Sequence, residues 1–284
     1  MLIELAVGDA YGAGFEYVDA EIVARRNNLT AYLRRHTETR VQGRYTDDTQ
    51  MSLATAEAIV SGEAWTPENL AARFVECFHR DPRPGYAGRF YDFLRETKTG
   101  TQFLANIRPD SDKSGVAMRA APVGVFGSLA EVKEKAAVQA RLTHDTPAGV
   151  AAAQASALMS HYFLYGLGPK ATLGAFLDLH VPGYTWNDPW RGKVGAKGWM
   201  SVRAAVTAVM AHESQSAILR ACIAFTGDVD TVATIALASA SCCLEVKPDL
   251  PANLFEYLEN GRYGHDYIKE LDKRLLALVV QAEE

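Results

Sequence analysis

The sequence predicts an all-α fold, and three observations carry that expectation. Apolar residues recur at helical spacings along most of the chain, and several segments open on an N-cap side chain followed by proline or an acid. No run of alternating β-branched residues bounded by turns occurs, so strand signals are nearly absent. Composition is that of an ordinary soluble globular protein, with 48% hydrophobic and 22% charged residues in 284. That length can bury a sizeable core, and no internal repeat or low-complexity linker divides it. One compact helical domain over residues 1–284 is expected.

The elements follow in order. Residues 1–7 read as a short helix. It enters Gly8-Asp9-Ala10-Tyr11-Gly12-Ala13-Gly14-Phe15-Glu16, where glycines permit close backbone approach. The stretch has neither a G-x-G-x-x-G after a strand nor a G-K-[ST], so a nucleotide P-loop is rejected. Glu16, taken alone, is a surface carboxylate or an acid-base group at the end of the loop. A short helix is expected over 19–27. Residues 33–44, with Arg34, Arg35, Arg40 and Arg44, read as a solvated basic loop.

The next stretch, Tyr45-Thr46-Asp47-Asp48-Thr49-Gln50-Met51, opens an alanine-rich helix. Capping explains one aspartate but not two aspartates between two threonines. The helix dipole stabilises a carboxylate at an N-terminus by about 0.3–1 kcal/mol, too little to offset repulsion among partly desolvated acids. A bound cation could do so.

Thr66 and Pro67 start a helix with Leu70, Phe74 and Phe78 on its apolar face, and Pro82, Pro84 and Gly85 end it. Residues 86–97 form another, with Phe90, Phe93 and Leu94 directed to the core. A polar loop spans 106–115. Arg119, amid apolar neighbours, is either paired with a core carboxylate or orients a site loop. Ser128 and Glu131 make a capping box for a helix to about 142. Thr143-His144-Asp145-Thr146-Pro147 is a sharp break, after which an alanine-rich helix to about 165 belongs in the middle of the bundle. Residues 183–199 are irregular, with Tyr184, Trp186, Trp190 and Trp199, and read as a surface loop or a ligand cover. Helices fill 201–211 and 214–225. Gly227-Asp228-Val229-Asp230-Thr231 then repeats the acidic pattern at the entrance of a helix to about 244. Helices over 250–260 and 264–282 finish the chain.

Lysine plus arginine is 29 and aspartate plus glutamate 34, so net charge is 29 − 34 = −5, which argues against a general nucleic-acid binder. Cys77, Cys222, Cys242 and Cys243 lack C-x-x-C spacing and read as reduced thiols. Glu4 and Asp9 interrupt the N-terminal apolar run, and no stretch is long and apolar enough to cross a bilayer. A cytoplasmic protein without membrane contact is expected; no feature fixes an oligomeric state.

Asp47, Asp48, Asp228 and Asp230, with the hydroxyls of Thr46, Thr49 and Thr231, are hard oxygen donors suited to Mg²⁺ or Mn²⁺. Four aspartates exceed the need of one cation and point to two. Residues i and i+2 diverge within a helix, so Asp228 and Asp230 converge only at its entrance. An isoprenoid-synthase reading fails because Met51 and Ser52 follow Asp47 and Asp48 one turn later. A histidine-aspartate phosphohydrolase reading rests only on His144-Asp145 and leaves the aspartates idle.

These motifs resemble those of the ADP-ribosylglycohydrolases. The resemblance extends from Gly8-Asp9-Ala10 with Glu16, through Thr46 to Met51, Ser114-Gly115, Ala117-Met118-Arg119, Pro122 and Thr143-His144 with Pro147, to residues 227–231, in family order. Val229 stands where the family usually has threonine, and Ser114 where it has asparagine. The resemblance implies an all-α fold and two Mg²⁺ or Mn²⁺ ions held by Thr46, Asp47, Asp48, Asp228, Asp230 and Thr231. It implies an ADP-ribosyl substrate on a modified protein, with Ser114 and Gly115 near the pyrophosphate and His144 near the ligand. The expected reaction is hydrolysis of the bond to an acceptor, arginine before serine, through an oxocarbenium-like state. Asp47 or Asp48 would orient or deprotonate the water, and Glu16 would gate a metal or assist proton transfer. The contrasting expectation is an inactive relative that binds ADP-ribose or blocks a toxin by contact.

Overall fold

A computed structural model describes residues 1–37 and 39–279. Fourteen α-helices dominate the described residues, so the all-α expectation holds. The centre is built from four of them. Helix α1 (Leu2–Gly12) packs along α12 (Val229–Ala240), and every residue of α12 is buried. Two glycines allow this approach. A Cβ on Gly8 would lie 2.7 Å from the Ala233 carbonyl oxygen, and one on Gly12 would lie 2.4 Å from the Asp230 Cα. The N-terminus of α12 is thereby pressed against the end of α1.

Helix α3 (Asp47–Ser61) lies against both, capped by Thr46 and stopped by Gly62 at φ 69°. Helix α8 (Pro147–Leu164) starts on Thr146, whose hydroxyl accepts from Gly149 N, and its alanine face sinks into the centre as expected. Around these lie α2 (Ala20–Arg26), α7 (Leu129–Arg141), α9 (Leu173–His180), α10 (Gly198–Ala211), α11 (Gln215–Ala224), α13 (Ala252–Glu256) and α14 (His265–Leu276). A second apolar cluster joins α4 (Pro67–Arg80), α5 (Gly88–Glu96) and α6 (Gly100–Asn106) to one side of α3 through Phe74, Phe78, Leu94 and Phe103.

Some elements differ from expectation. Within the stretch read as a loop, β1 (Tyr32–Leu33) pairs antiparallel with β2 (Arg40–Val41), a ribbon too short to alter the fold class. Helices α6 and α9 carry only seven and eight residues, too few for a clear apolar period. The first helix runs on to Gly12 because its glycines face α12, where they serve packing. The final helix ends at Leu276 in the described part, and residues 280–282 of its expected span lie outside the described residues. The four cysteines are free thiols, as expected.

Candidate metal centre and ligand cavity

A cavity of about 890 Å³ opens where the N-termini of α3 and α12 meet. Asp47, Asp48, Asp228, Asp230, Thr231 and Glu16 line one end, and Ser114, Gly115 and His144 line its wall. All the site residues expected from the sequence except Thr46 therefore border one space.

The acidic end is organised by a residue to which the sequence assigned no role. Asp9 on α1 is fully buried and accepts four hydrogen bonds. Its Oδ1 takes the Thr46 hydroxyl at 2.7 Å; its Oδ2 takes Thr46 N at 2.8 Å, Thr49 N at 2.9 Å and the Thr49 hydroxyl at 2.6 Å. Every partner donates, so the carboxylate anion is the matched form, and these donors oppose the upward push that burial gives its pKa. Thr49, counted among the possible ligand oxygens, is spent on this contact. Thr46 commits its proton to Asp9, and its oxygen takes a long 3.4 Å contact from Asp48 N. The sequence signal was a T-x-x-T frame facing an aspartate between helix glycines.

Asp47 and Asp48 sit on the first turn of α3. Asp47 N donates to the Pro84 carbonyl, and the Pro84-Gly85 turn abuts its carboxylate. A Cβ on Gly85, at φ 109°, would lie 1.9 Å from Asp47 Oδ1. On the other side, Thr226 and Gly227 both have positive φ, and the peptide there is clamped by Val194. Val194 N donates to Thr226 O, Asp228 N donates to Val194 O, and Tyr17 N donates to Gly227 O. Asp228 is thus held at the entrance of α12, and Asp230 lies in the helix's first turn with Oδ1 accepting from Thr231 N.

The carboxylates repel one another. Burial first, then neighbouring acids, holds Asp47, Asp48 and Asp230 well above the usual carboxylate range. Burial also raises Asp228, against the opposing hydroxyls of Ser114, Thr231 and Ser201. Glu16 is raised by burial and by Asp228, while its ion pair with Arg35 (2.6 Å) pulls the other way. Asp48 Oδ1 and Asp228 Oδ2 are buried without a hydrogen-bond partner among the described residues. Ligand oxygens of Glu16, Asp228 and Asp230 all lie within 4.8 Å of one another. An all-oxygen donor set with unpartnered buried carboxylate atoms fits a hard divalent cation, and the absence of cysteine or histidine from that set disfavours zinc.

The wall is fixed by Arg119. Its partners are neutral: Nε donates to Gln139 Oε1 (2.7 Å), Nη1 to Gly115 O (3.1 Å), and Nη2 to Gln139 O and to the Thr143 hydroxyl (2.8 Å). The core carboxylate of one expectation is not found among the described residues, and the loop-orienting expectation fits, because Arg119 ties Gly115 to Thr143. Burial pulls its pKa down to about 9. Thr143 Oγ1 lies 2.6 Å from His144 Nδ1, and the pattern that satisfies all three groups has Thr143 donating, with the ring proton on Nε2. Burial and Arg119 lower the His144 pKa to about 3, so the ring is neutral. The Lys113 carbonyl lies nearby, yet Nε2 makes no hydrogen bond of normal geometry among the described residues. Asp145 points elsewhere, toward Arg141 at 3.5 Å, which removes the histidine-aspartate reading.

The aromatic loop over 183–199 does not cover the cavity with its rings. Trp186 is fully buried, its Nε1 donating to Val181 O, and Tyr184, Trp190 and Trp199 pack on the core. The loop contributes backbone instead: Val194 clamps the second acidic cluster, and Ala196 O accepts from Ser114 N. The rings at the cavity are Tyr17, Tyr86, Phe90 and Phe93. Phe90 and Phe93 pack on the apolar cluster as expected and line the cavity as well. Tyr86 is held by Gln50 Oε1 at 2.7 Å.

Comparisons with known proteins bear on the family and the fold. The model of the ADP-ribosylglycohydrolase family matches residues 1–284. ADP-ribosylhydrolase ARH3 of Xenopus tropicalis is 29% identical over 47% of this chain and 41% of that protein. ADP-ribosyl-[dinitrogen reductase] glycohydrolase of Rhodospirillum rubrum is 28% identical over 59% of this chain and 58% of its own length. ADP-ribosylarginine hydrolase Tri1 of Pseudomonas putida is 26% identical over 61% of this chain and 48% of its own. The chain thus spans about half the length of the curated relatives it matches. A solved ADP-ribosylglycohydrolase-related protein complex superposes with a TM-score of 0.69 at 21% identity, covering 98% of this chain and 95% of that one, which shows a shared fold. With a family model matched over residues 1–284, this chain belongs to the ADP-ribosylglycohydrolase family.

Proposed function

We propose that this chain is a metal-dependent hydrolase, acting as one domain, that removes ADP-ribose from a modified protein, with arginine as the acceptor. The observation that carries the proposal is the convergence of five carboxylates at one end of a nucleotide-sized cavity, two of them with buried, unpartnered oxygens. Thr46, Asp47, Asp48, Asp228, Asp230 and Thr231 would hold two divalent cations. Bound there, Mg²⁺ or Mn²⁺ would orient the ribose hydroxyls and acidify the attacking water.

The residues' own tasks follow from their placement. Asp48, with Oδ1 unpartnered, accepts a proton from that water, and Asp47 orients it. The bond broken joins the anomeric carbon to the acceptor nitrogen, and charge develops on the ribose as in other glycosidic cleavages. A guanidine leaving group must take up a proton. Glu16, beside Asp228 and raised by burial, is placed to assist that transfer. Ser114 and Gly115 border the diphosphate, and neutral His144 offers its Nε2 proton to a ligand oxygen. The arginine preference is supported by the P. putida relative, which is named for ADP-ribosylarginine.

The test is release of ADP-ribose from two peptides, one modified on arginine and one on serine, each with Mg²⁺, Mn²⁺ or EDTA. Metal-dependent release from the arginine peptide is expected. Release from the serine peptide alone would replace the acceptor, and no release from either, with ADP-ribose still bound by calorimetry, would leave an inactive binding protein.

A further inference from the structure

The basic stretch before the first acidic cluster has no task in the chemistry above. Residues 25–44 hold six arginines and one glutamate, Glu38, in a chain of net charge −5. Arg34 follows β1 and Arg40 opens β2, both exposed, and neither has a side-chain ion pair or hydrogen bond among the described residues. The ribbon is seated beside the metal end of the cavity: a Cβ on Gly14 would meet Leu33 O at 2.6 Å, and Arg35 Nη1 reaches Glu16 at 2.6 Å. Lys193 adds the same sign 5.3 Å from the ring of Tyr17, which lines the cavity. Elsewhere around the cavity, by contrast, Arg89 is neutralised by Asp110 and Lys197 by Asp112, each at 2.9 Å.

We propose that this arginine ribbon is the acceptor-docking surface, and that it selects polypeptide acceptors with acidic residues flanking the modified side chain. The inference rests on the proposed reaction, because that reading places the bond to the acceptor at the Glu16 end. Exposed cations such as Arg34 and Arg40 beside a cleft attract and orient a partner of the other sign. A polypeptide is favoured over nucleic acid because the cations form a short patch on a chain that is acidic elsewhere, whereas a nucleic-acid tract calls for a longer basic surface. The Arg35 contact gives the patch a link to the site: an acidic flank that engages Arg35 competes with Glu16 for the same guanidinium.

The experiment compares three substrates at low and at 0.5 M salt (roughly a Debye length of 10 Å against 4–5 Å): ADP-ribosylated arginine with no flanks, and arginine-modified peptides with acidic or with neutral flanks. The expected result is about tenfold higher kcat/KM for the acidic peptide at low salt, carried by KM, with the advantage lost at high salt. The Arg34→Glu, Arg40→Glu double variant should lose the advantage while cleaving the flankless substrate at the wild-type rate. Equal rates on acidic and neutral peptides in the wild type would overturn the proposal. So would a variant-sensitive preference for an ADP-ribosylated oligonucleotide over both peptides. Fluorescence anisotropy with the unmodified acidic peptide reads docking without turnover. If no substrate is cleaved, binding by the wild type that the variant lacks sustains the docking surface while the reaction fails, and no binding by either overturns it.

Discussion

Removing Asp9 should detach the first acidic cluster from the core. Asp9→Ala strands Thr46 N and Thr49 N, two buried helix-start donors now served by Oδ2, while the two hydroxyls lose their acceptors. A buried donor without a partner costs about 1–3 kcal/mol, so the two amides alone amount to about 2–6 kcal/mol. Against a typical total of about 5–15 kcal/mol, that is a large fraction of the stability. Asp9→Asn is the gentler probe. Its amide oxygen can keep the three contacts at Oδ2, but its NH₂ then faces the Thr46 hydroxyl, which must turn from donor to acceptor. That costs about 1–2 kcal/mol, and it occupies a Thr46 lone pair that a cation would use. Urea denaturation of chelated protein reads the first effect, and calorimetric Mg²⁺ titration the second. Asp9→Ala within 1 kcal/mol of wild type, binding Mg²⁺ as tightly, would refute the role of Asp9 as the anchor of α3.

Three further outcomes follow from the same geometry. Mg²⁺ or Mn²⁺ at about 100 times its Kd should stabilise chelated protein by about 2.7 kcal/mol, and Asp228→Asn should abolish that gain without lowering the Tm of the chelated protein, since it removes one of several mutually repelling acids; a wild-type Tm indifferent to both metals would contradict the site. His144, pulled down to about 3, takes up its proton later than in the unfolded chain, so stability falls as pH drops from about 6.5 toward 3, by at most ~1.4 kcal/mol per unit. His144→Gln should flatten that limb in urea midpoints measured against pH, and an unchanged limb would assign it to other groups. Gly85→Ala combines a strained φ of 109° with a Cβ 1.9 Å from Asp47 Oδ1; it should cost about 1–3 kcal/mol and weaken metal binding at least tenfold by calorimetry, and wild-type metal affinity would show that the Gly85 turn does not constrain Asp47.

The fold class was legible because helix periods and caps are local signals: Thr66, Thr146 and Ser214 cap their helices as their positions imply. The acidic clusters were legible for the same reason, since repulsion among neighbouring carboxylates at a helix start can be read within five residues. Their convergence could not be read from local spacing, because about 180 residues separate Asp47 from Asp228; matching donor chemistry and the family resemblance joined them. The four bonds of Asp9 were hidden because they depend on α1 lying beside α3, and nothing within residues 1–12 specifies that neighbour. The loop over 183–199 read as a surface loop or a ligand cover, and its rings follow the first reading. A tryptophan whose indole N–H finds a backbone carbonyl is more stable inside, and Trp186 has one in Val181.

The arrangement separates two demands that usually conflict. A cation site needs several anions close together and dry, whereas a stable core tolerates none. Here the anions project from two helix N-termini, where dipoles favour them by only about 0.3–1 kcal/mol each, and the helices themselves are held by uncharged contacts: α12 against the glycines of α1, and Val194 against Gly227. Among the buried acids at this end of the molecule, Asp9 has both carboxylate oxygens satisfied by hydroxyls and amides, and it lies behind the others rather than among the cavity-lining residues. The scaffold therefore sets the positions of the remaining carboxylates without satisfying them. Unsatisfied oxygens held rigidly are what gives a hard cation its gain on binding, because the protein has already met the cost of bringing the ligands together.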